Sequence, residues 1–136
     1  MNIAYFLTPK SDVVWLAAEV SMRAALERIQ TSGYAAVPVL AQDGFYVGTI
    51  TEGDLLRKLI DSPALSVAAT EDVPLAEVPL RSHFKAVAID AHMEELLQRA
   101  FEQNFVPVVD SRGAFVGIVR RRHILEYFAG VSRAKG

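Results

Sequence analysis

The sequence predicts an α/β fold in which two similar β-α-β-β-α repeats pack about a pseudo-twofold axis. Three observations lead there. Val37-Pro38-Val39-Leu40, Gly44 and Val47-Gly48-Thr49-Ile50 recur 69 positions on as Val106-Pro107-Val108-Val109, Gly113 and Val116-Gly117-Ile118-Val119. Each copy sets short β-branched runs beside segments of helical period. The duplication also fills the chain, so each half must bury its apolar face against the other. Such symmetry implies two equivalent clefts, which are the natural places for a ligand. Nothing catalytic is duplicated, which argues against an ordinary enzyme.

In the first repeat Val13–Leu16 is a short run of strand character. Ser21 is an N-cap candidate for a helix with Met22, Ala25, Leu26 and Ile29 on one face, and Gly33 is its C-cap candidate. Val37–Leu40 is an apolar strand in which Pro38 implies an edge or a bulge. Gln42-Asp43-Gly44 turns the chain into a strand over Phe45–Ile50. A helix then runs over Glu52–Ile60 with Leu55, Leu56 and Leu59 inward. The second repeat copies the order, with strands at Phe84–Ile89, Val106–Val109 and Ala114–Val119 and helices at Met93–Gln103 and Arg121–Phe128. Its offset is 71 at Met22 and Met93 and 69 at the proline strand, so two residues are lost in the helix–strand loop, where deletions are cheap. Asp61–Asp72, rich in Ala and Ser, reads as a linker, and Ser132–Gly136 as a frayed basic tail. The domain boundaries expected are 1–70 for the first repeat with its linker and 71–136 for the second.

Composition narrows the function classes. Apolar residues make up 51% of the 136, yet no run approaches the roughly 20 that a membrane span needs. A generous core together with a buried oligomer surface accounts for the excess. Fourteen basic residues against 16 acidic ones give no bulk attraction to nucleic acid. With no cysteine there is neither a disulfide framework nor thiol chemistry. His83, His92 and His123 have no metal-ligand spacing, so no metal is expected. No P-loop, dinucleotide fingerprint or nucleophile motif is present. The N-terminus lacks the features of a signal peptide, and a cytoplasmic protein is expected.

The segments Gly33–Leu40 and Gly44–Leu56, with Phe105–Val109 and Gly113–Leu125 in the second copy, resemble the cystathionine-β-synthase (CBS) domain pair, or Bateman module. Several short motifs occur in order, twice, and the likeness covers almost the whole chain. With no further domain appended, the likeness is to a stand-alone CBS pair. A closer similarity is to small bacterial CBS proteins that bind cyclic di-AMP. It rests on Phe6-Leu7-Thr8-Pro9, on Gly33-Tyr34 with Ala36–Leu40, and on Phe115–Ile118 with Arg121, Arg122 and Leu125. The resemblance implies a regulatory module that binds an adenosine-containing ligand such as AMP, ATP, S-adenosylmethionine or cyclic di-AMP, with no cofactor. It also implies homodimers formed through the helices and a protein partner that reads the bound state.

Two helix starts carry the chemistry. Thr51-x-x-Asp54 has the spacing of a capping box, in which both side chains satisfy free backbone N–H groups. The same carboxylate is placed to accept ribose hydroxyls while Thr51 and the free amides face a phosphate. The resemblance makes Asp54 the ribose-binding position. The second repeat has Arg120-Arg121-Arg122-His123 there instead. Cations at a helix N-terminus oppose its dipole by a few tenths of a kcal/mol each. Either the arginines form a solvated face, turned to water or to Glu126, or a phosphate belongs among them. The absence of Asp at His123 weakens ribose recognition at this site, and the arginines favour phosphate.

Family geometry, as the resemblance implies it, builds each cleft from strand residues of one repeat and the helix start of the other. One site would combine Asp12, Val14, Ala35 and Ala36 with Arg120, Arg121, Arg122 and His123, and would suit a charged dinucleotide. The other would combine His83, Lys85, Asn104 and Phe105 with Thr51 and Asp54, and would take a mononucleotide or nothing. The function expected is a non-enzymatic adenine-nucleotide sensor. The alternative is a ligand-independent interaction or scaffold module with degenerate clefts.

Overall fold

The computed structural model of the chain describes residues 1–130. The tail expected over Ser132–Gly136 lies outside the described residues. In chain order the elements are β1 (Thr8–Pro9), β2 (Leu16–Ala17), α1 (Met22–Ser32), β3 (Ala36–Leu40), β4 (Tyr46–Thr51), α2 (Glu52–Ile60), β5 (Val87–Ala88), α3 (Met93–Glu102), β6 (Phe105–Val109), β7 (Phe115–Arg120) and α4 (Arg121–Phe128). They group into two compact units that do not follow chain order. One is Val14–His83; the other is Met1–Val13 together with the chain from Phe84 on.

The unit Val14–His83 holds a three-stranded sheet of order β2-β3-β4, with β2 parallel and β4 antiparallel to β3. Both helices form where capping chemistry allows. Ser21 Oγ accepts the Ala24 N–H at 3.1 Å, and Gly33 ends α1 at a positive φ of 76°. Met22, Ala25 and Ile29 then bury against Val37, Val39, Ile50 and Leu55. Leu56, expected to point inward, is exposed instead. Leu55 lies one turn from Leu59 on the core face, and Leu56 is about 100° further round the helix.

Two short strands correct the expected boundaries. Val13–Leu16 and Phe84–Ile89 reduce to the two-residue strands β2 and β5. That shortness explains the prolines: β2 pairs only with Val39 and Leu40, and β5 only with Val108 and Val109. Pro38 and Pro107 therefore sit where the ladder continues on the hairpin side alone, and a missing N–H costs nothing. The bulge falls one step later, between Val39 and Leu40 and again between Val108 and Val109.

The segment Asp61–Asp72, read as a linker, packs on the first unit along part of its length. Residues 68–72 form a 3-10 turn packed on α1, with Thr70 0% exposed. The chain then runs beside the entry to α1, where Met22 N–H donates to the Val73 carbonyl at 2.7 Å and Leu75 N–H to that of Val20 at 2.9 Å. Leu75 and Val78 complete the core of this unit.

The other unit uses the N-terminus in the same way. Its sheet has the order β1-β7-β6-β5, with Thr8 opposite Ile118 and Pro9 opposite Gly117. Ile3 and Phe6, on a 3-10 turn, are buried among Val87, Leu96, Val106, Val108, Val119 and Ile124. Each sheet thus has a leader laid across its last strand at a glycine. A Cβ on Gly117 would overlap the Thr8 carbonyl oxygen, and one on Gly48 would lie 2.7 Å from Leu80 Cδ1.

The two glycines should differ when substituted. Gly117→Ala meets main chain that cannot yield, and is expected to cost about 3 kcal/mol in denaturant unfolding. Gly48→Ala meets only the end of a leucine side chain, and should cost about 1 kcal/mol. Equal costs would show that the leaders do not approach as closely as described.

Candidate functional site

Both helix starts lie beside the strand entries of their own repeat. Ala36 is opposite Thr51 in the ladder, and Glu52 N–H donates to the Ala35 carbonyl at 2.9 Å. In the second copy Phe105 is opposite Arg120, and Arg121 N–H donates to the Asn104 carbonyl at 3.0 Å. The equivalence of the repeats therefore reaches down to single hydrogen bonds, while the side chains at the two junctions diverge.

At the first junction the capping box forms in full. Thr51 Oγ1 accepts the Asp54 N–H at 3.1 Å, and Asp54 Oδ2 accepts the Thr51 N–H at 3.0 Å. The second carboxylate oxygen is also engaged: Asp54 Oδ1 accepts the Arg81 N–H at 3.0 Å. Asp54 is 1% exposed. A buried carboxylate holding two main-chain donors stabilises the charge and ties residue 81 to the start of α2. Spacing revealed the first of these bonds. The second, across 27 residues, leaves no sequence signal. His83 belongs to the same unit as Thr51 and Asp54 and is exposed.

At the second junction the electrostatic conflict of three arginines is partly relieved by the fold. Arg121 Nε donates to the Ala100 carbonyl at 2.7 Å. That oxygen belongs to the last turn of α3, where carbonyls lack helical partners and the dipole is negative. Arg121 thus starts one helix while capping the end of another. Arg122 lies 3.5 Å from Glu126 one turn on, with its side chain 80% exposed. No acidic residue stands in the first turn of α4, and Arg120 as N-cap makes no side-chain cap. His123 is half-buried.

The remaining candidates divide between the units. Asp12, exposed on a 3-10 turn after β1, shares a unit with Arg120–His123. The register carries the chain past Pro9 toward the Phe115 end of β7, away from Arg120. Val14 packs on the core of the other unit, which also holds Ala35 and Ala36. Phe105 is buried with its ring 4.9 Å from that of Phe84. Gln103 was not foreseen. Its buried amide accepts the Lys85 N–H and donates to the Lys85 and Phe105 carbonyls, fixing the strand entry beside the arginines.

Comparison with known proteins fits this architecture. The CBS domain family matches residues 5–61 and again 68–130. The chain belongs to the CBS domain family. Among solved structures, CbpB in complex with c-di-AMP superposes with a TM-score of 0.86 at 20% identity, covering 96% of this chain and 86% of that one. A CBS domain protein from Streptococcus pneumoniae TIGR4 gives 0.84 at 26% identity, covering 94% and 86%. CBSX2 in complex with AMP gives 0.73 at 21% identity, covering 97% and 98%. The chain is also 30% identical over 109 residues to the replicative DNA helicase DnaB of Mycobacterium leprae. The match takes in 74% of this chain, which spans only 17% of that protein. CBS-pair proteins are generally regulatory rather than catalytic. Among the described residues no group of three or more His, Asp or Glu is placed to hold a metal ion, and no helix is long and apolar enough to cross a membrane.

Substitutions at the first junction should register as stability whether or not a ligand is bound. Thr51→Ala is expected to cost about 1 kcal/mol through the lost cap. Asp54→Ala, which also takes the acceptor from the part-buried Arg81 N–H, should cost about 2–3 kcal/mol. Denaturant unfolding of the two variants checks this; a neutral Asp54→Ala would remove the structural role given to that carboxylate.

Proposed function

We propose that this CBS pair is a regulatory sensor that binds an adenine nucleotide of the AMP, ATP or cyclic di-AMP kind and thereby changes its hold on a protein partner. The observation that carries this reading is the start of α4, where Arg120, Arg121 and Arg122 follow one another with no acid in the first turn. Helix amides and guanidiniums there favour an anion, and a phosphate would accept charge-assisted bonds from Arg122 and the free amides while Arg121 stays on Ala100. Similarity to proteins seen with c-di-AMP and with AMP supports adenine nucleotides as the ligand class. The Thr51–Asp54 junction is the weaker candidate, because a ribose there must exchange with the Arg81 N–H. A ligand with different affinities for two arrangements of the chain is sufficient to bias a partner surface.

A second reading, that of a ligand-independent interaction module, is favoured by those same bonds. Both oxygens of Asp54 already have donors, and Arg121 and Arg122 already have acceptors. A thermal-shift panel of AMP, ADP, ATP, S-adenosylmethionine and cyclic di-AMP separates the two. A ligand at about 100 times its dissociation constant adds about 2.7 kcal/mol, or several degrees for a chain of this size. The sensor reading expects a selective shift that Arg122→Ala weakens at least tenfold without lowering the melting temperature of the free protein. No shift with any nucleotide would leave the interaction module.

We also infer a homodimer. Phe101 is 85% exposed on α3, and Leu125 and Phe128 are exposed on α4; Leu56, the counterpart of Leu125, and Ile60 are exposed on α2. Exposed apolar side chains on α4 and at the equivalent position of α2 suit self-association better than a single patch would. Sedimentation should give a dimer for the wild type and a monomer for Phe101→Asp/Leu125→Asp. A wild type that is monomeric at every concentration would overturn the dimer.

A further inference from the structure

A cavity of about 160 Å³ opens between α2 and the leader over 73–83, here called the strap, and neither nucleotide junction uses its cations. Arg57 and Lys58 of α2 and Arg81 of the strap line it, with Asp54, Asp61 and Ser62. Three cations meet two carboxylates, and the carboxylates are poorly placed to neutralise them. Asp54 spends both oxygens on main-chain N–H groups. Asp61 is reached only by Arg81 Nη2 at 4.0 Å, with both side chains more than half exposed, a contact that solvent and salt screen. Among the described residues Arg57 and Lys58 form no ion pair.

Arg57 supplies the second observation. Its Nη1 is fully buried and has no hydrogen-bond partner, although buried guanidinium donors are normally satisfied. The guanidinium folds back over the first turn of α2, where Nη2 lies 3.6 Å from the position a Cβ would take on Gly53. A side chain at 53 would crowd that pose. The cavity is large enough for several waters or one tetrahedral oxyanion. An oxyanion in the cavity would offset its excess of positive charge, which water would leave unanswered.

We propose that this cavity is an oxyanion site that takes a phosphate group, held by Arg57, Lys58 and Arg81. Two of its cations are on α2 and the third is on the strap, so a bound phosphate ties the strap to the helix. The Asp54–Arg81 bond already fixes one edge of that contact, and the chain passes from the strap into the second unit at Phe84. Occupancy therefore acts on the covalent passage from one repeat to the next. The phosphate comes either free, as orthophosphate, or as the phosphoryl group of a nucleotide. The free source makes the site independent of the nucleotide reading above.

The test titrates sodium phosphate into the full chain at constant ionic strength, with sodium chloride as the control, and follows backbone amide NMR shifts and melting temperature. Millimolar phosphate is expected to move the Gly53 and Arg81 amides and to raise the melting temperature. Arg57→Gln/Lys58→Ala should weaken the affinity at least tenfold, and Lys58→Ala alone, on a half-buried side chain, at least threefold should the double variant fold poorly. Parallel arms with AMP and adenosine identify the source: AMP competing where adenosine does not places the phosphate on a nucleotide, and failure of AMP to compete assigns the site to free phosphate. A response no larger than that to chloride, or unchanged affinity in Lys58→Ala, would overturn the site. Loss of nucleotide binding in Arg122→Ala with phosphate binding intact would separate it from the reading of the α4 junction.

Discussion

Each unit of this protein is closed by a leader segment pressed against a glycine of its last strand. Sheets whose outer parallel strand is two residues long, as β2 and β5 are, expose most of one side of the central strand and cannot seal a core alone. Ile3 and Phe6 supply the missing apolar surface for one unit, and Leu75 and Val78 for the other. Gly117 and Gly48 let the leaders come close enough to do so. The consequence is an interleaved chain: the first 13 residues join the second repeat, and the segment before Phe84 joins the first. Whatever changes one leader is felt directly in the core it closes.

The helix starts show how one backbone plan supports two electrostatic solutions. At Thr51 and Asp54 the chain meets its own amides: the buried carboxylate accepts two main-chain N–H groups and the Thr51 hydroxyl a third. At Arg120–Arg122 the like-signed dipole is only partly answered, by lending Arg121 to the far end of α3. A junction that satisfies itself has little left to offer a ligand. One with the exposed Arg122 guanidinium and no acid in the first turn of its helix keeps that capacity. In the sensor proposed above, the more complete junction would hold the fold while the less complete one would take the ligand.

Asp54 shows why a residue's type and spacing underdetermine its task. The carboxylate serves as N3 of a capping box and as the anchor of the strap, and both tasks make demands on the same two oxygens. The strap in turn brings Arg81 to Arg57 and Lys58, which are adjacent on α2 and unremarkable in the sequence. Charge that is balanced along the chain becomes unbalanced locally once folding selects its neighbours.

The sequence by itself determined the repeat, the α/β class, the limits of α2 and α4, the Ser21 and Thr51 caps and the Gly33 stop. These depend on contacts within a few residues, or on an apolar period that the chain writes twice. It misjudged Leu56 and the length of the first strand in each repeat. Only tertiary structure decided that the leaders cross between repeats, that Asp54 binds residue 81, that Arg121 caps α3 and that Gln103 fixes the strand entry. The Asp54–Arg81, Gln103–Lys85 and Arg121–Ala100 bonds join residues 18 or more positions apart. No local period encodes such pairings; they arise because a buried polar group must find whatever partner packing brings within reach.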